Sequence, residues 1–126
     1  MILVDTSVWI DYFRNRRRAA GLAEALEMNE VLLHPWVLGE IALGSLGRRR
    51  AQVLADLRML PVPPVLRDEE ALALIEARRL ASTGIGWVDA HLVGSALVAR
   101  AQVWTLDGKL ARVAVGMGID GLPGRP

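Results

Sequence analysis

An α/β sandwich built on a mainly parallel sheet is the fold this sequence predicts, and three observations predict it. Short apolar runs (ILVD at 2–5, EVLLH at 30–34, QVWTL at 102–106) read as strands covered on both faces. Stretches with helical spacing separate them, the alternation expected of strand–helix–strand units. The chain of 126 residues is the length of one domain, residues 1–126, and at 52% hydrophobic it has enough apolar side chains for a sizeable core.

The elements follow in order. After ILVD comes TSVWIDYFR, where Val8 and Tyr12, and Trp9 and Phe13, recur at helical spacing. Residues 19–29 (AAGLAEALEMN) predict a second helix with Leu22, Ala25 and Leu26 on one face. Pro35, after EVLLH, suits the first position of a helix that reaches Leu46 and is stopped by Gly47. Residues 48–60 carry an apolar stripe of Val53, Leu54, Leu57 and Leu60. PVPPVL loses ladder donors at its prolines and has room only for a brief edge strand. RDEEALALIEARRLAST is the clearest helix, with Asp68 placed to cap it, Glu69 and Glu70 in its first turn, and Arg78 and Arg79 near its end. WVDAHLVGSALVARA predicts another, beginning near Asp89. DGK turns the chain into a final helix, LARVAVGM, and GIDGLPGRP offers a last edge strand.

Composition excludes several classes. The chain contains no cysteine, so neither disulfides nor thiolate metal sites are available. No apolar run approaches the roughly 20 residues of a membrane helix, and Asp5 interrupts the first one. With neither span nor export signal, a cytoplasmic protein without membrane association is expected. A formal net charge of +1 gives no global attraction for nucleic acid. The cations are nevertheless clustered, at Arg14, Arg16, Arg17, Arg18 and at Arg48, Arg49, Arg50, with Lys109 the only lysine. Such runs serve equally as solvated helix ends or as grips for phosphate.

Seven of the 14 acids (Glu24, Glu27, Asp56, Asp68, Glu69, Glu70 and Glu76) lie on helices with room for a solvated face. Four stand in less ordinary places. Asp5 ends the first strand, Glu40 interrupts the apolar, Gly-rich stretch VLGEIALG, Asp89 opens a helix of small and apolar residues, and Asp107 follows VWTL. Singly, each has a plain role: Asp5 and Asp89 as helix N-caps, Glu40 on a polar face, Asp107 as a turn residue. Jointly, Asp5 and Asp107 each end a strand on the edge of a parallel sheet where such folds bind ligands, and if those two strands are neighbours the acids come together and the helices of Glu40 and Asp89 can lean theirs in. Carboxylates about 4 Å apart repel by about 4 kcal/mol per pair at an effective dielectric near 20. A cluster of them persists by taking up protons or by holding a hard cation, and oxygen donors suit Mg²⁺ or Mn²⁺. The hydroxyls of Thr6, Ser7 and Thr105 fall at the same edge.

These residues resemble the motifs of the PIN-domain ribonucleases, and more closely the VapC-type toxins of type II toxin–antitoxin pairs. VDTSVWI resembles the first motif, HPWVLGEIALG the second with Glu40 and Gly44, DAHLVGSAL the third with Asp89, and WTLDGKLARVA the fourth with Thr105 and Asp107. The match spans nearly the whole chain, in order. It departs from the family pattern at Pro35, where a hydroxyl residue is common, and at His91, a polar insert read first as structural or facing solvent, with contact to RNA or proton donation the other uses.

The resemblance implies a three-layer α/β/α sandwich with a central, mainly parallel sheet of four to five strands. It implies an endoribonuclease in which Asp5, Glu40, Asp89 and Asp107 hold Mg²⁺ (or Mn²⁺), Asp5 and Asp89 most directly, while Thr6, Ser7 and Thr105 support them. Water would attack phosphorus and leave 5′-phosphate and 3′-hydroxyl ends. Its partners would be substrate RNA, a cognate antitoxin lying across the site, and a second copy in a homodimer. Trp9, Trp36, Trp87 and Trp104 read as core or dimer packing, with base stacking the other use. The competing readings are a non-catalytic PIN-fold module that binds RNA or protein and a housekeeping PIN nuclease without antitoxin. A phosphoacceptor domain fits poorly, because the middle strand ends in LLH; an Asp-x-Asp phosphatase fails at Ser7.

Overall fold

The computed structural model describes residues 1–15 and 19–121. Arg16, Arg17 and Arg18 of the first basic cluster, and the tail from residue 122 on, lie outside them. The order is β1 (Ile2–Val4), α1 (Thr6–Phe13), α2 (Leu22–Glu27), β2 (Val31–Leu32), α3 (Pro35–Ala42), α4 (Arg50–Arg58), α5 (Asp68–Ala77), α6 (Trp87–Ala99), β3 (Gln102–Trp104) and α7 (Gly108–Gly116). A 3₁₀ turn at Gly47–Arg49 leads into α4.

Every residue of β1 is buried, and both neighbours pair with it in parallel, in the order β2-β1-β3. Leu3 lies opposite Leu32 on one side and Val103 on the other. A strand flanked twice has no use for polar alternation, which is why ILV is apolar throughout. The carboxyl ends of all three strands therefore share one edge.

The described residues form three strands, not the four to five expected. PVPPVL contributes no strand; it offers one carbonyl, Pro61 O, to Leu33 N at 3.0 Å. Its prolines have no amide to continue a ladder. In the described part of the predicted last strand, residues 118–121, there is an isolated parallel bridge between Val103 and Asp120; the rest of it lies outside the described residues.

The helices stand where expected but are mostly shorter. Pro35 is the first residue of α3, as predicted. That helix stops at Ala42 rather than near Leu46, and the Arg50 guanidinium donates to the carbonyls of Ala42 and Gly44 that it leaves open. At α5 the capping position is Arg67, not Asp68, and Glu70 reaches back to accept from the Arg67 amide at 2.9 Å. Helix α6 starts at Trp87, so Asp89 occupies its third position instead of capping it.

The core gathers Leu3, Val4, Val8, Trp9, Leu22, Val37, Leu92, Val93, Trp104 and Leu110 around β1 and β3. Helix α6 packs on β1, β3 and α5. It approaches closely at Gly94, where a Cβ would lie 2.1 Å from Leu66 Cδ1, so even alanine requires a shift there. No helix among the described residues is long and apolar enough to cross a membrane.

Candidate functional site

Asp5 stands one residue beyond β1, and its amide extends the ladder by donating to Trp104 O at 2.9 Å. Its carboxylate is buried, with each oxygen partnered. Oδ1 accepts from the Thr6 amide at 2.8 Å, which is the N-cap of α1. Oδ2 accepts from Ser7 Oγ at 2.9 Å and Thr105 Oγ1 at 2.7 Å. Those hydroxyls are held in turn: the Leu106 amide donates to Ser7 Oγ at 3.0 Å, and the Asp107 amide to Thr105 Oγ1 at 3.0 Å. Backbone donors on the far sides leave each hydroxyl hydrogen free to point at Asp5.

Asp107 caps α7, accepting through Oδ1 from Lys109 N at 2.8 Å and Leu110 N at 3.3 Å. Glu40 projects from the exposed side of α3, where Thr6 Oγ1 donates to its Oε1 at 2.6 Å. Asp89 accepts from the Gly86 amide at 3.3 Å. Burial raises the Asp89 carboxyl above its ordinary range, the Gly86 amide opposes this, and the charges of Asp5, Asp107 and Glu40 raise it further. All four acids singled out in the sequence thus meet in one electrostatic neighbourhood, with Thr6, Ser7 and Thr105 bonded to them.

The arrangement is a charged cluster rather than a finished coordination sphere. Among the described residues, no three acidic or histidine side chains converge closely enough to hold one ion. The donor chemistry nevertheless fits a hard divalent cation: the donors are carboxylate oxygens, and Asp89 bears the mutual repulsion that a cation relieves.

Two polar residues at or near this edge carried no sequence argument. His34 follows the second strand and is completely buried; its Nδ1 accepts from the Trp36 amide at 3.0 Å and caps α3. Burial, then the nearby His91, lowers its pKa to about 4. Asp11 is buried in α1 and accepts from the Ala19 amide at 2.7 Å, across the segment 12–18. An acid between Ile10 and Tyr12, inside an apolar helix, was the available signal. His91 is completely buried, which excludes the solvent-facing reading. It packs against Trp36 at 4.2 Å and Trp87 at 4.7 Å between ring centres, and Nε2 lies 3.5 Å from Asp68 Oδ1. Trp9 and Trp104 are core residues, whereas Trp87 is 39% exposed beside Asp89.

Beside Glu40 a groove opens between α1, α3 and α4. One lobe of about 260 Å³ is lined by Glu40, Ile10, Phe13, Arg14, Leu46 and Arg48, and another of about 240 Å³ adjoins it at Phe13, Arg49 and Val53.

Comparison with known proteins gives three findings. The family model described as PIN domain matches residues 2–116. Ribonuclease VapC32 of Mycobacterium tuberculosis, from strains CDC 1551 / Oshkosh and ATCC 25618 / H37Rv, is 45% identical over 120 residues, covering 94% of each chain. A chain of a toxin-antitoxin complex from Klebsiella pneumoniae has the same fold at a TM-score of 0.72, with 20% identity and complete coverage of both chains.

Proposed function

The chain belongs to the PIN-domain family, and on that premise we propose that it is a VapC-type endoribonuclease toxin, one PIN unit over residues 1–126. It hydrolyses RNA phosphodiester bonds in the cytoplasm and is neutralised by a cognate antitoxin. The three-layer form belongs to this reading: the parallel connections β1 to β2 and β2 to β3 run in opposite directions along the sheet, and crossovers of the usual right hand would lay their helices on opposite faces.

One observation carries the proposal: acids from separate segments are tied together at one edge, Asp5 to Asp107 through Thr105 and Asp5 to Glu40 through Thr6, with Asp89, raised by burial and then by the other three charges, in the same neighbourhood. Asp5, Glu40, Asp89 and Asp107 would hold Mg²⁺ or Mn²⁺. Such ions supply a water of lowered pKa and stabilise the attacking and leaving oxygens of phosphate. The chain's own residues do the rest. Thr105 and Ser7 fix the Asp5 carboxylate from one side while the Thr6 amide fixes it from the other. Asp107 is immobilised by the amides of α7. Glu40, exposed and tethered only through Thr6 among the described residues, is the member free to swing toward a cation. No protein nucleophile is required, and water attack at phosphorus leaves 5′-phosphate and 3′-hydroxyl ends.

The groove beside Glu40 suits the antitoxin. It is lined by Ile10, Phe13, Ile41, Leu46 and Val53 together with exposed Arg14, Arg48 and Arg49, so an extended acidic and apolar segment placed there would cover Glu40. Exposed Ile10, Tyr12, Leu43 and Met59 on α1 and on or just beyond α3 and α4 favour association, with antitoxin and in a homodimer.

A non-catalytic binding module is the second reading, favoured by the absence of a converged acid triplet among the described residues. One assay separates the two. Protein freed of antitoxin is incubated with cellular RNA in Mg²⁺ or Mn²⁺ and in EDTA. Cleavage that needs the metal and disappears in Asp5→Asn and Asp89→Asn is expected. Binding without cleavage in any divalent metal selects the module, and unchanged cleavage in both variants removes this site assignment. A toxin also requires an antitoxin gene beside its own; a nuclease without one is the housekeeping form.

A further inference from the structure

A second charged hollow, of about 360 Å³, lies between the end of α5, the loop leading to α6, and one face of α7. Arg78, Arg79, Lys109 and Arg112 line it, all exposed. No acid lines it among the described residues. None of the four cationic side chains forms an ion pair or hydrogen bond within the described residues. Its apolar lining residues Leu80, Val113 and Met117 are buried or half-buried, so an incoming ligand meets charge first.

Two of these cations are aimed by glycines. The Lys109 stem lies along Gly84, where a Cβ would sit 2.9 Å from Lys109 Cδ and where φ is +89°. The Arg112 guanidinium folds over Gly108, with Nη1 3.6 Å from the position of a Cβ there. Gly108 immediately follows Asp107, and the Lys109 amide donates to Asp107 Oδ1 at 2.8 Å. Lys109, Arg112, Val113 and Gly116 recur at the spacing of one helix face. The hollow therefore begins at the Asp107 corner of the acid cluster and runs about 10 Å down α7.

We propose that this hollow grips the phosphate backbone of the RNA strand flanking the scissile bond, on the Asp107 side. The proposal rests on the ribonuclease reading. A strand whose reacting phosphate lies among the carboxylates carries a further negative charge at each nucleotide, and Lys109, two residues past Asp107, opens this run of positive charge. Unpaired guanidiniums match phosphate bidentately. An acidic peptide, by contrast, gains most of its affinity from side-chain anchors in apolar pockets, and here Leu80, Val113 and Met117 are buried or half-buried while all four cations are exposed.

The test is binding without turnover. Asp89→Asn protein in EDTA is titrated with a fluorescein-labelled, random-sequence 20-nucleotide RNA, by anisotropy over a range of salt. Adding Arg79→Gln and Arg112→Gln is expected to weaken binding about tenfold near 0.1 M salt and to make the log–log salt dependence shallower by about 1.4, roughly 0.7 per lost phosphate contact. Lys109→Gln alone loses about half of that slope, so one misfolded variant does not decide the result. Arg58→Gln with Arg67→Gln, which removes the same charge elsewhere, leaves affinity within about twofold. Unchanged affinity and slope in both hollow variants overturns the proposal while the nuclease reading stands. Retained RNA binding with lost competition by poly-L-glutamate assigns the hollow to an acidic protein instead and also overturns it. A parent protein that neither binds nor cuts RNA removes both readings.

Discussion

Asp5 and His34 occupy equivalent places in neighbouring strands. Each stands just past the carboxyl end of its strand, each is buried, and each caps the next helix through a side-chain acceptor. Their surroundings differ. Hydroxyls and an amide surround Asp5, so its charge is solvated by the protein. The His34 ring faces Trp36 and His91, its Nε2 has no hydrogen-bond partner, and its charged form is suppressed. The backbone uses both residues in the same way. Only the environment differs: hydroxyls and an amide hold the Asp5 carboxylate, while burial beside His91 keeps His34 neutral.

The sharpest way to break this contrast is to take the charge from Asp5 and leave its shape. Asp5→Asn keeps the acceptor for the Thr6 amide, so the fold is expected to persist, with circular dichroism unchanged. RNA cleavage in Mg²⁺ is expected to fall by at least about a thousandfold, the order of losing several kcal/mol of charge stabilisation. Wild-type rates in this variant would show that Asp5 is a cap and nothing more.

Removing what solvates that charge comes next. Thr105→Val keeps volume but deletes the donor to Asp5 Oδ2 and the acceptor for the Asp107 amide. One substitution thus loosens two acids. A fall of about 10- to 100-fold in cleavage is expected, as for residues that orient metal ligands. Higher Mg²⁺ recovers part of it if the loss lies in metal affinity; a loss that no Mg²⁺ concentration touches would place Thr105 elsewhere in the reaction.

The His34 side of the comparison is read through pH. Its folded pKa, about 4, lies below the ordinary 6.5. Between those values the unfolded chain binds the proton and the folded chain does not. Stability is therefore full above about pH 6.5 and declines as pH falls toward 4, by on the order of 2–3 kcal/mol. The sign agrees with the cap, because a proton on Nδ1 removes the acceptor for the Trp36 amide. His34→Asn keeps a good capping acceptor without the titration. Its melting temperature should be lower at pH 7, from lost packing, but flatter between pH 6.5 and 4.5. A variant as steep as wild type would assign the acid sensitivity to another group.

The sequence disclosed the Asp5 side of this comparison far better than the His34 side. Carboxylates are rarely buried without purpose, so acids after ILV and after VWTL, with hydroxyls beside them, pointed to one sheet edge. In the structure β1 and β3 are parallel neighbours, so the residues that follow them stand at one edge. The helices were legible from their apolar spacing, less so their ends. Contacts distant in sequence set those ends, such as Arg50 reaching the carbonyls of Ala42 and Gly44. The sheet was overcounted because β-branched residues in PVPPVL attract a strand assignment that the prolines then deny. His34 left no mark because histidine is an unusual cap, and Asp11 because its partner, the Ala19 amide, lies beyond the end of its own helix.

Asp89 supplies the smallest effect on stability and joins the two halves of the comparison, being half-buried and set among three other acids. Burial and then the other three acids raise its pKa, with only the Gly86 amide opposing. A carboxyl raised above its unfolded value is stabilising when protonated, so that contribution is lost as pH rises through the folded pKa. At pH 7 in EDTA, Asp89→Asn removes the repulsion and keeps an acceptor for Gly86. Its melting temperature should rise by about 2–4 °C, while cleavage is lost. Mg²⁺ should reverse the order. It stabilises the wild type in proportion to its occupancy and the variant far less, so the two melting curves converge or cross as the ion is added. Parallel shifts in both proteins would mean that the ion binds without Asp89.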